Sequence, residues 1–208
     1  MNHRDLSTLG AGFGNEPLGS QAVFRIALEA LSHPGRVLEV AHDAQTPNQG
    51  HSASAALLLA MLDADSTLWL SPTLAASDAA LWLHFHTGCQ IVNDASVAQF
   101  AWVGQGDVMP ALASLAQGSD AYPDQSATCV IDLDFLSNSA QPQGTWLLHG
   151  PGIQSEQSFS VHGLEADFLV QWAANHAGFP RGVDLFLAAQ NQIAGLPRTT
   201  SITLQGRH

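Results

Sequence analysis

From residue 20 onward, apolar positions recur first at helical and then at strand spacing, and the two periods interleave to the end of the chain. Phe24, Leu28 and Leu31 follow a helical stripe after Ser20, a candidate N-cap. Ser32-His33-Pro34-Gly35 stops that helix, because proline disfavours a helical residue before it. Residues 36–41 alternate like a strand. Residues 51–62 hold a block of strong helix formers closed by the turn Leu62-Asp63-Ala64-Asp65-Ser66, and residues 67–70 read as a short buried strand.

Residues 77–87 could be a strand with His84 and His86 on one face, or a helix with the two about 200 degrees apart. Ser77 as cap, Leu81 and Phe85 at i,i+4, and Gly88 just past the end favour the helix, which removes a His-x-His metal pair. Strands are predicted at 89–92, 97–103, 128–135, 146–149, 183–188 and 199–204, with a turn at 190–192. Helices are predicted at 110–117 and 164–176. The alternation implies an α/β fold with helices on both faces of the sheet. Glycines and proline in the first 17 residues imply a flexible arm (1–17), followed by a single α/β domain (18–208).

Composition narrows the chemistry. With 6 Lys plus Arg against 18 Asp plus Glu, the net charge is −12, which opposes a hold on nucleic acid or an anionic membrane. All six basic residues are arginine. The absence of lysine excludes a Walker A loop, a lysine nucleophile and a pyridoxal-phosphate Schiff base, and no cofactor is expected. The charged fraction of 12% is about half that of ordinary soluble domains. Either a neutral polar surface or a large subunit interface accounts for it, and the interface reading predicts a homodimer. No signal-peptide core and no run of 18 apolar residues occurs, so a cytoplasmic, soluble protein with free cysteines is expected.

The candidate site residues are few. Pro197-Arg198-Thr199-Thr200 offers a guanidinium fork and two hydroxyls, suited to phosphate or carboxylate oxygens, or equally a structural pair with an internal carboxylate. A side chain that stays protonated must have an anionic or carbonyl partner, and Arg198→Lys is expected to impair function while leaving the fold intact. Arg25 reads as a salt-bridge residue. His86 sits in the last helical turn before Thr87, as a C-cap or an anion contact. Gly150-Pro151-Gly152-Ile153 marks a tight turn or a close backbone approach. No catalytic residue, metal site or self-sufficient active site emerges from residue chemistry.

Phe24-Arg25 with Ser32-His33-Pro34-Gly35, Leu62-Asp63 before Thr67, Phe85-His86-Thr87, Gly150-Pro151-Gly152-Ile153, Phe179-Pro180-Arg181-Gly182-Val183-Asp184 and Pro197-Arg198-Thr199-Thr200 occur in the order and approximate spacing of the PhnH family. The chain resembles that family from Phe24 to Leu204. The resemblance implies a three-layer α/β/α sandwich with a mixed sheet, similar to the large domain of pyridoxal-phosphate transferases but without the cofactor. It further implies a cytoplasmic subunit of the bacterial carbon-phosphorus lyase core complex, partnered by itself and by PhnG, PhnI and PhnJ. That system forms ribose 1-phosphonate 5-triphosphate from ATP and a phosphonate before the carbon-phosphorus bond is broken. Candidate anion-binding or interface residues are then Arg25, His86, Thr87, Arg198, Thr199 and Thr200, and structural motif residues are Pro34, Gly35, Gly150, Gly152 and Asp184. The alternatives are a free-standing enzyme acting on a small anion and a purely structural scaffold.

Overall fold

The computed structural model describes residues 9–141 and 144–205; Arg4, Arg207 and residues 1–8 of the expected arm lie outside them. Helix α1 (Glu16–Ser32) begins before Ser20, within the stretch read as an arm. Asn15 is its N-cap, accepting from the Leu18 N–H, and Glu16 and Pro17 supply the acidic and proline signals of a first turn. Residues 9–15 are fastened to the body: Phe13 is buried, and the Trp82 Nε1–H donates to the Gly10 carbonyl at 2.9 Å.

The stripe that α1 buries is Val23, Ala27 and Ala30, whereas Phe24 and Leu28 face outward. Small residues let the helix axis approach the sheet: the Ala30 backbone lies so close to Gly195 that no side chain would fit there. Of the larger apolar stripe read from the sequence, Phe24 and Leu28 therefore lie on the outer side, while Leu31 packs partly against the core.

The remaining elements are β1 (Leu38–Glu39), α2 (Ser52–Met61), β2 (Thr67–Leu70), α3 (Pro72–Ala75), α4 (Ala79–Thr87), β3 (Gln90–Val92), β4 (Phe100–Val103), β5 (Thr128–Asp132), β6 (Phe135–Ser137), β7 (Thr145–His149), β8 (Gln157–His162), α5 (Phe168–Ala177), β9 (Asp184–Ala189), β10 (Gln192–Leu196) and β11 (Ser201–Leu204). The helix expected at 110–117 is only a 3-10 turn at Leu112–Ser114, the strand at 36–41 shrinks to two residues, and the one at 128–135 divides between two sheets. Gly88 closes α4 in the left-handed conformation, φ 76°, as its place after the histidines predicts.

A seven-stranded mixed sheet runs in the order β1-β10-β9-β5-β4-β2-β3. Its five strands from β9 to β3 are parallel, and β10 and β1 add antiparallel at one edge. Alternate side chains serve two cores. Trp102, Val130 and Phe186 pack under α1, α2 and α4, while Ala101, Cys129, Ile131, Leu185 and Leu187 face the other way. The second face is covered by α5 together with a four-stranded antiparallel sheet, β11-β7-β8-β6, rather than by helices alone. Trp146, Phe168 and Trp172 form a stacked aromatic row beneath it, with ring centroids 5.6 and 6.2 Å apart. No described helix is long and apolar enough to cross a membrane.

Candidate functional site

Arg198 follows β10 and is 9% exposed. Its Nε and Nη2 donate to the Asp184 carboxylate at 3.1 and 2.5 Å, Nη1 donates to the Pro123 and Pro180 carbonyls at 3.1 and 3.2 Å, and Nη2 also donates to Ser126 Oγ at 2.5 Å. A guanidinium has five N–H donors, and all five are engaged inside the chain. The anionic and carbonyl partners that its permanent charge demands are thus internal, and no donor is left for an external phosphate. Asp184 also accepts the Arg198 backbone N–H at 2.8 Å, which ties the Phe179–Asp184 motif to the Pro197–Thr200 motif.

The other motifs meet in the same manner. Gly152, at φ 84°, lies against the Ser32 carbonyl and the Pro34 ring, and Gly150 lies against the backbone of Thr199 and Thr200. The Gly35 N–H donates to the Gly195 carbonyl at 3.0 Å, and its own carbonyl accepts from Asn138. Thr200 is fully buried, its carbonyl accepts from Trp172 Nε1 at 2.8 Å, and its hydroxyl has no partner among the described residues. His86 is not the C-cap of α4, which is Gly88: its Nε2 sits 2.9 Å from the Gly10 carbonyl, and Trp82 and Phe85 abut its ring edge-on. Thr87 Oγ1 donates to the Leu83 carbonyl and accepts the Cys89 N–H, closing α4. Arg25 is exposed with no ion pair among the described residues, contrary to its reading as a salt-bridge residue. The motif residues are therefore spread over separate packing joints, and of them Leu62, Asp63, His86 and Thr87 share the lining of a cavity of about 470 Å³ with residues 11–13.

Sequence reasoning missed a crevice of about 320 Å³ at the carboxyl ends of β2, β4, β5 and β9. Ligands of open α/β sheets collect at that edge, near the point where strand order reverses, here beside β2. Asp132 ends β5 there. It is 2% exposed, accepts the His51 N–H at 2.8 Å and the Ser54 hydroxyl at 2.5 Å, and burial pushes its carboxyl above the usual range despite those two bonds. His51, 8% exposed, donates from Nε2 to the Leu133 carbonyl at 2.9 Å. Both cysteines are buried, and burial pushes the Cys129 thiol to about 12, so neither offers a thiolate nucleophile. Among the described residues, no group of three or more His, Cys, Asp or Glu could hold a metal ion.

The model of the family described as bacterial phosphonate metabolism protein (PhnH) matches residues 11–203. The chain belongs to the PhnH family. A relative from Rhizobium meliloti (strain 1021), alpha-D-ribose 1-methylphosphonate 5-triphosphate synthase subunit PhnH, is 35% identical over 190 residues, covering 91% of this chain and 93% of that one. HtxG of Stutzerimonas stutzeri, named as a putative C-P lyase subunit protein, is 35% identical over 192 residues, covering 90% and 88%. The motifs that carry the PhnH resemblance lock turns. His51 and Asp132 lie outside all of them.

A pH dependence follows from Asp132. Its folded-state pKa is raised, so between the unfolded value near 4 and the folded one the native chain holds more protons than the unfolded chain, and stability falls as pH rises through that window. An asparagine at this position can accept from the His51 N–H and donate to Ser54 Oγ without that penalty. In urea unfolding at pH 4 and pH 8, Asp132→Asn is expected to gain on the wild type at the higher pH; an unchanged difference between the two pH values refutes the assignment.

Proposed function

We propose that this PhnH chain is a cytoplasmic, non-catalytic partner subunit in the assembly that converts ATP and a phosphonate to ribose 1-phosphonate 5-triphosphate, acting with PhnG, PhnI and PhnJ and dimerising when alone. In this reading it is a single three-layer α/β/α domain built like the large domain of pyridoxal-phosphate transferases, without the cofactor. Helices α1, α2 and α4 on one sheet face and α5 on the other support that layering. The names of both relatives support the assembly. The alternative of a free-standing enzyme gripping a small anion through Arg198 loses its support because every N–H of that side chain is already bonded.

The observation that carries the subunit reading is the outer stripe of α1, where Leu18, Phe24 and Leu28 are 64%, 43% and 53% exposed around Arg25. Apolar side chains in such a row mark a surface that another protein covers. In light scattering the isolated chain is expected at twice its 21.9 kDa. Leu28→Glu is expected to scatter as a monomer with unfolding stability within about 0.5 kcal/mol of wild type, since the position is on the surface. A wild type at 21.9 kDa over a wide concentration range rules the dimer out. Co-expression with PhnG, PhnI and PhnJ tests the assembly: tagged chain should retain all three, and deletion should abolish growth on methylphosphonate as phosphorus source.

A further inference from the structure

The crevice beside β2 has an asymmetry of hydrogen-bond character. Asn48 Nδ2 donates to Asp78 at 2.9 Å, the Thr73 hydroxyl to Asp107 at 2.6 Å and Gln105 Nε2 to Asp134 at 2.5 Å, while His51 Nε2 donates to the Leu133 carbonyl. Carboxylates and carbonyls can only accept, so these bonds fix which end of each side chain is spent. Asn48 and Gln105 each keep an amide oxygen and one of their two N–H groups, Thr73 keeps its oxygen lone pairs, and His51 keeps Nδ1, which has no partner among the described residues and is not sealed in protein. All four residues line the crevice. On these four side chains the free acceptors outnumber the free N–H donors, each side chain is backed by a carboxylate or carbonyl, and no arginine among the described residues lines the cavity to balance them.

We infer that this crevice is a binding site for an organic cation rich in N–H donors, an ammonium or guanidinium group. Such a group satisfies several acceptors at once, and the carboxylates behind the wall favour its charge. The same geometry disfavours a phosphate or phosphonate, which would bring more negative charge to a wall backed by the Asp78, Asp107 and Asp134 carboxylates with no arginine in its lining to offset them. Asp132 at the floor adds a further acceptor already held by His51 and Ser54. A volume of about 320 Å³ is at the small end of ordinary ligand sites. The cation is either a free amine or a basic side chain of another protein; a second copy could offer the side chain of an arginine but not of a lysine.

The inference concerns the chain alone and stands apart from the assembly reading. Calorimetric titration of the purified protein with agmatine, which carries both cationic groups, is expected to saturate at one site. Thr73→Val and Gln105→Ala, both at exposed positions where folding is retained, should each weaken it about tenfold, the effect of losing a hydrogen bond to a charged group. Inorganic phosphate and methylphosphonate should give no binding that these variants alter. The source is read by repeating the titration on the chain bound to its copurifying partners: retained agmatine binding assigns a free amine, and lost binding assigns a partner's side chain. Agmatine that does not saturate, variants that bind it like wild type, or phosphate binding that the variants abolish would overturn the inference.

Discussion

Arg198→Ala is expected to lose about 3 to 5 kcal/mol of folding stability, the cost of removing one partner from a buried ion pair and leaving the other charge behind. Asp184 would remain with its carboxylate facing an emptied site, and the Pro123 and Pro180 carbonyls and the Ser126 hydroxyl would lose their donors together. Arg198→Lys keeps the charge but has three donors on a flexible stem where five in a plane are used, so a loss of about 1 to 3 kcal/mol follows. This reverses the order expected from the sequence motif alone, in which function fails before folding. Urea unfolding of the three proteins, combined with growth on a phosphonate at two temperatures, separates the cases: a growth defect that disappears once the variant folds marks a clamp. Arg198→Ala within about 1 kcal/mol of wild type would show that the clamp is not a major contributor to stability.

Gly152→Ala is the second substitution with a large expected effect. The backbone there has φ 84°, where a side chain is strained, and a Cβ would be driven into the Ser32 carbonyl oxygen and the Pro34 ring. Strain of about 1 to 3 kcal/mol adds to an overpacking cost of similar size, because two backbones rather than a pliable side chain meet at that point. Thermal unfolding should show a drop of at least several degrees. Gly106→Ala is the matched control: it too has positive φ, 78°, but nothing stands within reach of its Cβ, so only the conformational part of the loss should remain. Equal losses in the two variants would mean that the contact between the Gly150–Ile153 and Ser32–Gly35 turns contributes nothing.

Period and punctuation make the central elements legible. The residues of α2, β2, α4 and β9 lie within a few positions of where the sequence predicts them, because their apolar runs end in clear turn signals, as at Leu62–Ser66 and Gly88. Strand β8 also ends at a glycine, Gly163, but Gln157, Ser158, Ser160 and His162 give it the composition of a surface loop, and its state is decided by β7 and β6 on either side. Strand β10 hides behind the turn at Gln190, whose φ of 55° makes a tight hairpin with β9. For α1 two apolar stripes compete, and the sequence does not say that close helix-to-sheet approach would select the smaller one. The crevice has one readable signal, the carboxylate of Asp132 closing the apolar run Cys129-Val130-Ile131. Its partner His51 is 81 positions away, a distance over which only topology makes neighbours.

The strands at the four sheet borders, β1, β3, β6 and β11, are two, three, three and four residues long. Each therefore offers very few unpaired peptide groups, too few to template the addition of a foreign strand. A protein meant to meet other chains faces the hazard that its backbone will pair with any of them indiscriminately. Short borders confine recognition to side chains, where shape and charge can discriminate, and they leave the chain little tendency to polymerise edge to edge before its proper companions arrive.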